Sequence, residues 1–414
     1  MERDQTLVVG GGIVGLTAAL ALQKANVQTL LIDPARERPP ASWGNAGHIA
    51  TEQVEPLASP AALASVPRRL TLAGGALALP PQEIATWLPF GLRLMLASRP
   101  ASFAAGKAAL KALLKDALPA WRHLVTDLNR PDLLIEGGHM VVWHGAEAAR
   151  RGADHWFAAD IGTATCRPSD TAELDRAASL LHARPAGGVT FGKTGQVLDP
   201  GAVLTAVKDA FLEAGGRIIA DSVSKIDVEA GQAVAVTCGG TRLQGRQILV
   251  AAGVESAALL KPLGIKAPII AERGYHIQAE SHDWPESQPP LVFEERSMIV
   301  TRFAGGVRAS SFVELSRHDA PPVTRRWERL EQHVAELGLP LRPPFRRWYG
   351  SRPTLPDYLP AIGKADGVDN LFYAFGHQHL GLTLGPITAF HLLDLLASGN
   401  SNPILEPFSL GRFK

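Results

Sequence analysis

The chain has 414 residues, 46% of them hydrophobic and 20% charged, with a formal net charge of +1. That length suits two or three structural units around a large core and excludes a disordered chain. The near-neutral balance gives no reason to expect nucleic acid as a partner.

The N-terminus reads strand, glycine turn, helix, strand. Thr6-Leu7-Val8-Val9 predicts a short buried strand, and Gly10-Gly11-Gly12-Ile13-Val14-Gly15 follows it. A helix is expected over 16–24 and a second strand over 27–32, ending on Asp33. The spacing Gly10-x-Gly12-x-x-Gly15 between a strand and a helix is the dinucleotide fingerprint. Gly10 permits the tight turn, Gly12 admits a pyrophosphate to the backbone, and Gly15 lets helix and strand pack closely. Ile13 and Val14 open the helix, whose N–H groups and positive dipole end favour phosphate. Asp33 stands where a carboxylate binds ribose hydroxyls, which disfavours a 2′-phosphate.

No basic leader is visible, since Glu2 and Asp4 precede the first strand. No stretch reads as the roughly 18 uncharged apolar residues of a spanning helix. Cys166 and Cys238 fit neither a metal-ligand spacing nor a redox pair, as in a reducing compartment. The protein is therefore expected in the cytoplasm. The apolar stretch 71–97, interrupted by Glu83 and Arg93, reads first as a buried helix. The alternative is peripheral contact at the inner face of a membrane.

Helical patterns dominate from about 60 to 185, with a helix over 107–129 and a strand over 139–143. Asp199-Pro200 then opens a helix that should run to Glu213 and stop at Gly215-Gly216. Strands follow over 217–220, 233–238 and 247–250, the last running into Ala251-Ala252-Gly253. A β-rich part comes next, with 299–303 and 307–313 flanking Ala304-Gly305-Gly306 as a hairpin. The C-terminal part has a strand over 371–375, a glycine loop from Gly376, and a helix over 386–397.

The glycine motif does not separate FAD from NAD. The block Ile248-Leu249-Val250-Ala251-Ala252-Gly253 does, because it looks like the second FAD contact of two-domain flavoproteins. The expected architecture is an α/β chain with a discontinuous Rossmann-like FAD-binding domain and a β-sheet-and-helix substrate domain. The first should take 1–60, 190–265 and 346–414, and the second 61–189 and 266–345.

Four further segments, in order, resemble the D-amino-acid oxidase superfamily of flavoenzymes across nearly the whole chain. Within it, the D-amino-acid dehydrogenase and glyphosate-oxidoreductase-like branch is nearest. Ser42-Trp43-Gly44-Asn45-Ala46-Gly47 is similar to the loop that reaches the flavin ring. Glu272-Arg273-Gly274-Tyr275-His276-Ile277 is similar to the strand entering the substrate cap. Trp348-Tyr349-Gly350-Ser351-Arg352-Pro353, with Pro356-Asp357 and Ile362-Gly363, resembles the active-site arginine segment. Phe375-Gly376-His377-Gln378-His379-Leu380-Gly381-Leu382-Thr383 resembles the closing flavin loop. The chain departs from the pattern at His379, where glycine oxidases carry arginine, and at Tyr358, where glycine is common.

The resemblance implies hydride transfer from an amine α to a carboxylate onto flavin N5. The substrate would be a D-amino acid, a D-proline derivative or an N-substituted glycine. An imine would form and hydrolyse to a keto acid or glyoxylate plus an amine. Oxygen or a quinone would reoxidise the flavin. Arg352 would clamp the substrate carboxylate, with His379, Tyr275 and His276 lining the pocket. Asn45, Ala46, Gly47, Val223, Gly376, Gly381, Leu382 and Thr383 join the expected cofactor contacts. His48, Arg302 and Arg308 are weaker candidates. His377 and His379 form no expected metal site, since no third ligand is near in sequence. The alternatives are a flavoenzyme acting on an amine or hydroxy compound without a carboxylate, and a non-catalytic flavin subunit of a complex.

Overall fold

A computed structural model describes residues 4–35, 38–70, 75–398 and 402–414. Two sheets organise the chain. The first has six strands, in the order Arg217–Ile219, Thr29–Ile32, Thr6–Val9, Gln247–Val250, Leu371–Phe375 and Ala361–Lys364. All neighbours run parallel except the last pair. Its central strands are buried along their whole length but for Gln247, as a sheet covered on both faces requires. Val8, Leu31, Leu249 and Phe372 point toward the helices Ile13–Lys24, Pro200–Glu213 and Gly381–Ser398. Leu7, Val9, Ile248 and Val250 point the other way, onto Ile226, Ala235 and Leu243 of a three-stranded meander.

The second sheet is larger and mostly antiparallel. Its order is Leu341–Thr354, Ile270–His282, Gly306–Ser316, Met298–Phe303, Leu291–Phe293, His139–Trp143, Gly187–Gly192 and Thr165–Pro168. The helix Thr324–Leu337 packs Trp327, Leu330 and Val334 against one face. The expected hairpin is present, closing at Phe303 and Gly306. The strand Leu341–Thr354 belongs wholly to this sheet and runs through position 346.

The helix start at Asp199 is as expected: its side chain accepts the Ala202 N–H at 2.9 Å, and the helix ends at Glu213. Three expectations are corrected. The helix expected over 107–129 is two helices, Pro100–Leu114 and Ala117–Asp127. The C-terminal helix starts at Gly381, so Pro386 lies inside it. Proline has no N–H to return to the carbonyl four residues back. The buried Trp121 indole N–H donates to that Leu382 carbonyl instead, at 3.1 Å. Third, the helix Ile84–Ala97 buries only Phe90. Residues 71–74 of that stretch lie outside the described residues. One stretch among the described residues, Gln378–Ala397, is long and apolar enough to cross a membrane, and most of it is buried in the protein.

Candidate active site

A cavity of about 550 Å³ lies between the two sheets, running from Gly10 past Asn45 to Arg352. Its first wall is the glycine turn. Gly10 has φ +108°, and a Cβ there would lie 2.5 Å from the Ala251 carbonyl oxygen. A Cβ on Gly15 would meet the Gly10 carbonyl oxygen at 1.9 Å. Gly12 is different: the nearest atom to its added Cβ is Ser42 Oγ, 3.5 Å away, so its hydrogen keeps the cradle open. Ser42 Oγ accepts the Ile13 N–H at 3.1 Å, and Val14 lines the cavity beside it. Asp33 Oδ1 accepts the Gly11 N–H at 2.8 Å, which sets the carboxylate beside the turn. Ala252 and Gly253 close the cavity from the second strand. Open backbone, a helix N-terminus and a carboxylate fit a dinucleotide.

The loop 42–47 is held from behind. Arg308, fully buried, donates from Nη1 to the Trp43 and Asn45 carbonyls at 3.0 and 2.6 Å, and Gln278 Oε1 holds its other edge. Asn45 Oδ1 accepts the Gly47 N–H at 2.8 Å. Gly47 has φ +77° and carries the turn past Phe303. His276 is buried behind Gly44: its Nδ1 meets the Gly44 carbonyl at 3.2 Å and its ring stacks on Trp348 at 4.9 Å. Burial, and then the Arg308 charge, push this imidazole well below its usual range. His276 therefore sits neutral under the loop and outside the cavity lining.

Tyr275 reaches the cavity wall, but its hydroxyl is turned to the opposite side of the strand. There it accepts from Arg273 Nη2 at 2.8 Å and donates to Glu314 at 3.2 Å. Side chains alternate along a strand, so Glu272 and Gly274 take the cavity side. Both line the cavity. Glu272 is buried and pairs with Arg352 Nη1 at 2.8 Å. It also accepts from the Tyr358 hydroxyl at 2.9 Å and from Thr354 Oγ1 at 3.2 Å. Burial raises the Glu272 pKa, but Arg352 and His379 outweigh it and hold the carboxyl below its ordinary value. Burial and the Glu272 charge push the Tyr358 phenol well up, so it stays a donor. The Arg352 guanidinium lies across Gly274, where a Cβ would come within 2.4 Å of Nη2. Among the described residues its Nη2 and Nε take no protein acceptor.

His379 also lines the cavity, with Nε2 on Gln53 Oε1. Burial pushes its pKa down to about 4, so the ring is neutral near pH 7. Gly381 and Leu382 line the cavity at the start of their helix. Thr383 sits just behind, accepting the Ala50 N–H at 3.0 Å. Gly376 makes the preceding turn with φ +78°. Ala46 lines the cavity, whereas Val223 begins a meander strand and packs on the apolar core beneath the first sheet. Arg302 pairs with Glu286 at 2.7 Å.

His377 bonds Thr388 at 3.0 Å and does not join His379 in a shared site. A different trio escaped the sequence reading: His48, Glu52 and His139 have donor atoms within 4.8 Å of one another. His48 Nε2 lies 3.0 Å from Glu52 Oε1, and His139 Nδ1 lies 3.2 Å from Thr194 Oγ1. Burial raises the Glu52 pKa, but the two imidazoles outweigh it and bring it to about 2. Only the four-residue spacing of His48 and Glu52 was visible in sequence; His139 comes from a distant strand.

The comparisons agree with this geometry. The family profile described as FAD dependent oxidoreductase matches residues 5–395. A D-amino-acid oxidase of Bradyrhizobium diazoefficiens is 30% identical, covering 100% of this chain and 99% of its own. A D-amino acid dehydrogenase of Allorhizobium ampelinum is 27% identical, covering 98% and 99%. Among solved structures, iminodiacetate oxidase from Chelativorans sp. BNC1 superposes with a TM-score of 0.72 at 19% identity, covering 98% of each chain. Glycine oxidase from Geobacillus kaustophilus gives 0.70 at 19% identity, covering 99% of each. With the glycine cradle, the second strand contact and the full-length match in hand, the chain belongs to the family of FAD-dependent oxidoreductases.

Proposed function

We propose that this enzyme oxidises the carbon–nitrogen bond of a small amino acid. The substrate class is a D-amino acid, a D-proline derivative or an N-substituted glycine. The product imine hydrolyses to a keto acid or glyoxylate plus an amine. Arg352 carries this reading. It stands on the cavity wall with one guanidinium nitrogen on Glu272 and two that take no acceptor among the described residues. That remaining Nη2/Nε edge matches the two oxygens of a carboxylate. The names of the relatives, D-amino-acid oxidase, D-amino acid dehydrogenase and glycine oxidase, support the same class.

When bound, FAD supplies the two-electron acceptor for the substrate Cα–H. The residues of the chain position and shield. Gly10, Gly12, Gly15 and Asp33 hold the dinucleotide end. Arg352 fixes the position and plane of the substrate carboxylate, and with it the place of Cα in the cavity. Glu272, Thr354 and Tyr358 keep the arginine in place. Neutral His379 adds a polar wall without a second charge. The first turn of the helix Gly381–Ser398 offers its positive end to negative charge developing in the cavity.

Oxygen or a quinone takes up the electrons in this reading. The location is cytoplasmic, with peripheral contact at the inner face of the membrane, for which the exposed helix Ile84–Ala97 is the support. In this reading the FAD-binding domain takes 1–60, 190–265 and 346–414 and the substrate domain 61–189 and 266–345, except that the whole strand Leu341–Thr354 goes with the substrate-side sheet. The test is anaerobic bleaching of the flavin absorbance by a panel of amino acids, amines and hydroxy acids. Bleaching by carboxylate-bearing amines is the expected result. Bleaching only by compounds without a carboxylate moves the enzyme to another substrate class, and no bleaching at all makes it a non-catalytic flavin subunit.

A further inference from the structure

The helix Ile84–Ala97 is apolar on both sides. Inward, Trp87, Phe90 and Leu94 pack on Ile270, Val313 and Leu315, on the strands that carry Glu272 and Phe312. Outward, Ile84, Leu88, Leu92, Met95 and Leu96 are each 45–52% exposed. At about 100° per residue these five fall within an arc of roughly 120°, along a helix about 20 Å long. Scattered surface leucines need no explanation, but a continuous apolar stripe marks a contact surface.

The charges around the stripe identify the partner. From 84 to 115 the chain carries Arg93, Arg99, Lys107, Lys111 and Lys115 and no acidic residue. Lys107 and Lys111 are paired with Glu55 and Asp160. Arg93 and Arg99 have no carboxylate partner among the described residues. Beside the end of the stripe they line an open groove with Leu96, Lys261 and Lys266, and these two lysines also lack a carboxylate partner among the described residues. Apolar side chains edged by these four cations match the interface of an anionic bilayer. Acyl chains would take the stripe and phosphate headgroups the groove. A second copy of this chain fits poorly, because a two-fold contact would bring the same cations together.

We propose that the enzyme docks on anionic phospholipid membranes through the outward side of the helix Ile84–Ala97 and the groove of Arg93, Arg99, Lys261 and Lys266. This rests on the peripheral membrane contact proposed above, to which it gives a surface and a lipid chemistry, and it holds whatever the substrate proves to be. The test is flotation of the flavin-loaded full chain with vesicles of phosphatidylethanolamine and phosphatidylglycerol, against vesicles of phosphatidylcholine. Two double variants are compared, Leu92→Glu/Met95→Glu and Arg93→Glu/Arg99→Glu, with flavin content and sedimentation as checks on fold and assembly. Should the glutamate pair at 92 and 95 lose flavin, Leu92→Ser/Met95→Ser carries the same comparison. Wild type is expected to float with the anionic vesicles, less so at high salt. Each double variant should lower binding by roughly ten-fold with flavin retained. The proposal fails if wild type does not float with anionic vesicles, or if the variants bind as well as wild type. It also fails if the change at 92 and 95 dissociates an oligomer, which makes the stripe a contact between protein chains.

Discussion

Arg352 and Glu272 stand directly opposite each other on neighbouring antiparallel strands, with Nη1 and Oε1 2.8 Å apart. The ladder of main-chain hydrogen bonds sets that register, so the pair is formed before any substrate arrives. Glu272 is buried and depends on Arg352, Tyr358 and Thr354 for its partners. The pairing leaves Arg352 less positive toward the cavity than a lone guanidinium, but fixes its direction. Affinity for a carboxylate then rests on geometry more than on net charge.

The first prediction follows. Arg352→Lys keeps a charge for Glu272 and loses the planar edge; Arg352→Ala loses both and strands a buried carboxylate. The expected loss in kcat/KM is small to moderate for Lys. For Ala it is on the order of 2–5 kcal/mol of transition-state stabilisation, as for truncated charge pairs. Flavin occupancy should survive in both. Near wild-type turnover of an amino acid by Arg352→Ala would place the clamp elsewhere.

Gly274→Ala gives a test that leaves every charge in place. The added methyl would come within 2.4 Å of Arg352 Nη2, the far end of a flexible side chain. The guanidinium can swing away, so the fold should survive. The arginine then no longer lies along the cavity wall, and kcat/KM should fall by roughly ten-fold or more, since misplacement of about 1 Å is costly. Flavin content should stay close to wild type. Unchanged kinetics would show that the position of Arg352 over Gly274 is immaterial.

His379 faces the cavity as a neutral ring tied to Gln53. His379→Ala should reorder kcat/KM across a series of amino-acid side chains or N-substituents while leaving FAD content unchanged. The same ranking in variant and wild type would remove His379 from substrate selection.

Much of the cofactor half was legible because its constraints are local. Gly15 is dictated by the Gly10 carbonyl within the same turn and Gly10 by its own φ of +108°, and the strand Thr6–Val9 and the helix Pro200–Glu213 follow from a few neighbouring residues. The substrate half was less so. Which side of a strand a residue takes depends on register, and that put the Tyr275 hydroxyl behind the sheet and His276 under the loop 42–47. Glu272 was visible only as part of a family segment; its bond to Arg352 joins residues 80 apart in the chain. The helix Ile84–Ala97 misled for a related reason. Apolar residues on every side look like burial in sequence, and only the structure shows which side has no neighbour.

The last prediction concerns acid. His377 is fully buried, with Nε2 on Thr388 Oγ1 at 3.0 Å, and burial alone pushes its pKa down to about 3. In the unfolded chain it returns to the ordinary 6.5. Below that value the unfolded chain takes up the proton and the folded chain does not, so stability is lost as pH falls through 6.5 toward 3. Buried carboxylates act lower down: Glu52, near 2 when folded and 4.5 by default, loses its contribution only below the latter value. Between about pH 7 and about pH 5.5 the imidazoles therefore dominate, and one such histidine accounts for about 1 kcal/mol of lost stability. His377→Gln keeps a polar group for Thr388 and cannot titrate. Urea unfolding of flavin-saturated wild type and variant at the two pH values measures the difference. The variant should lose about 1 kcal/mol less than wild type over that interval. Equal losses would mean that His377 is protonated as readily in the folded protein as in the unfolded chain, and that its burial carries no proton linkage.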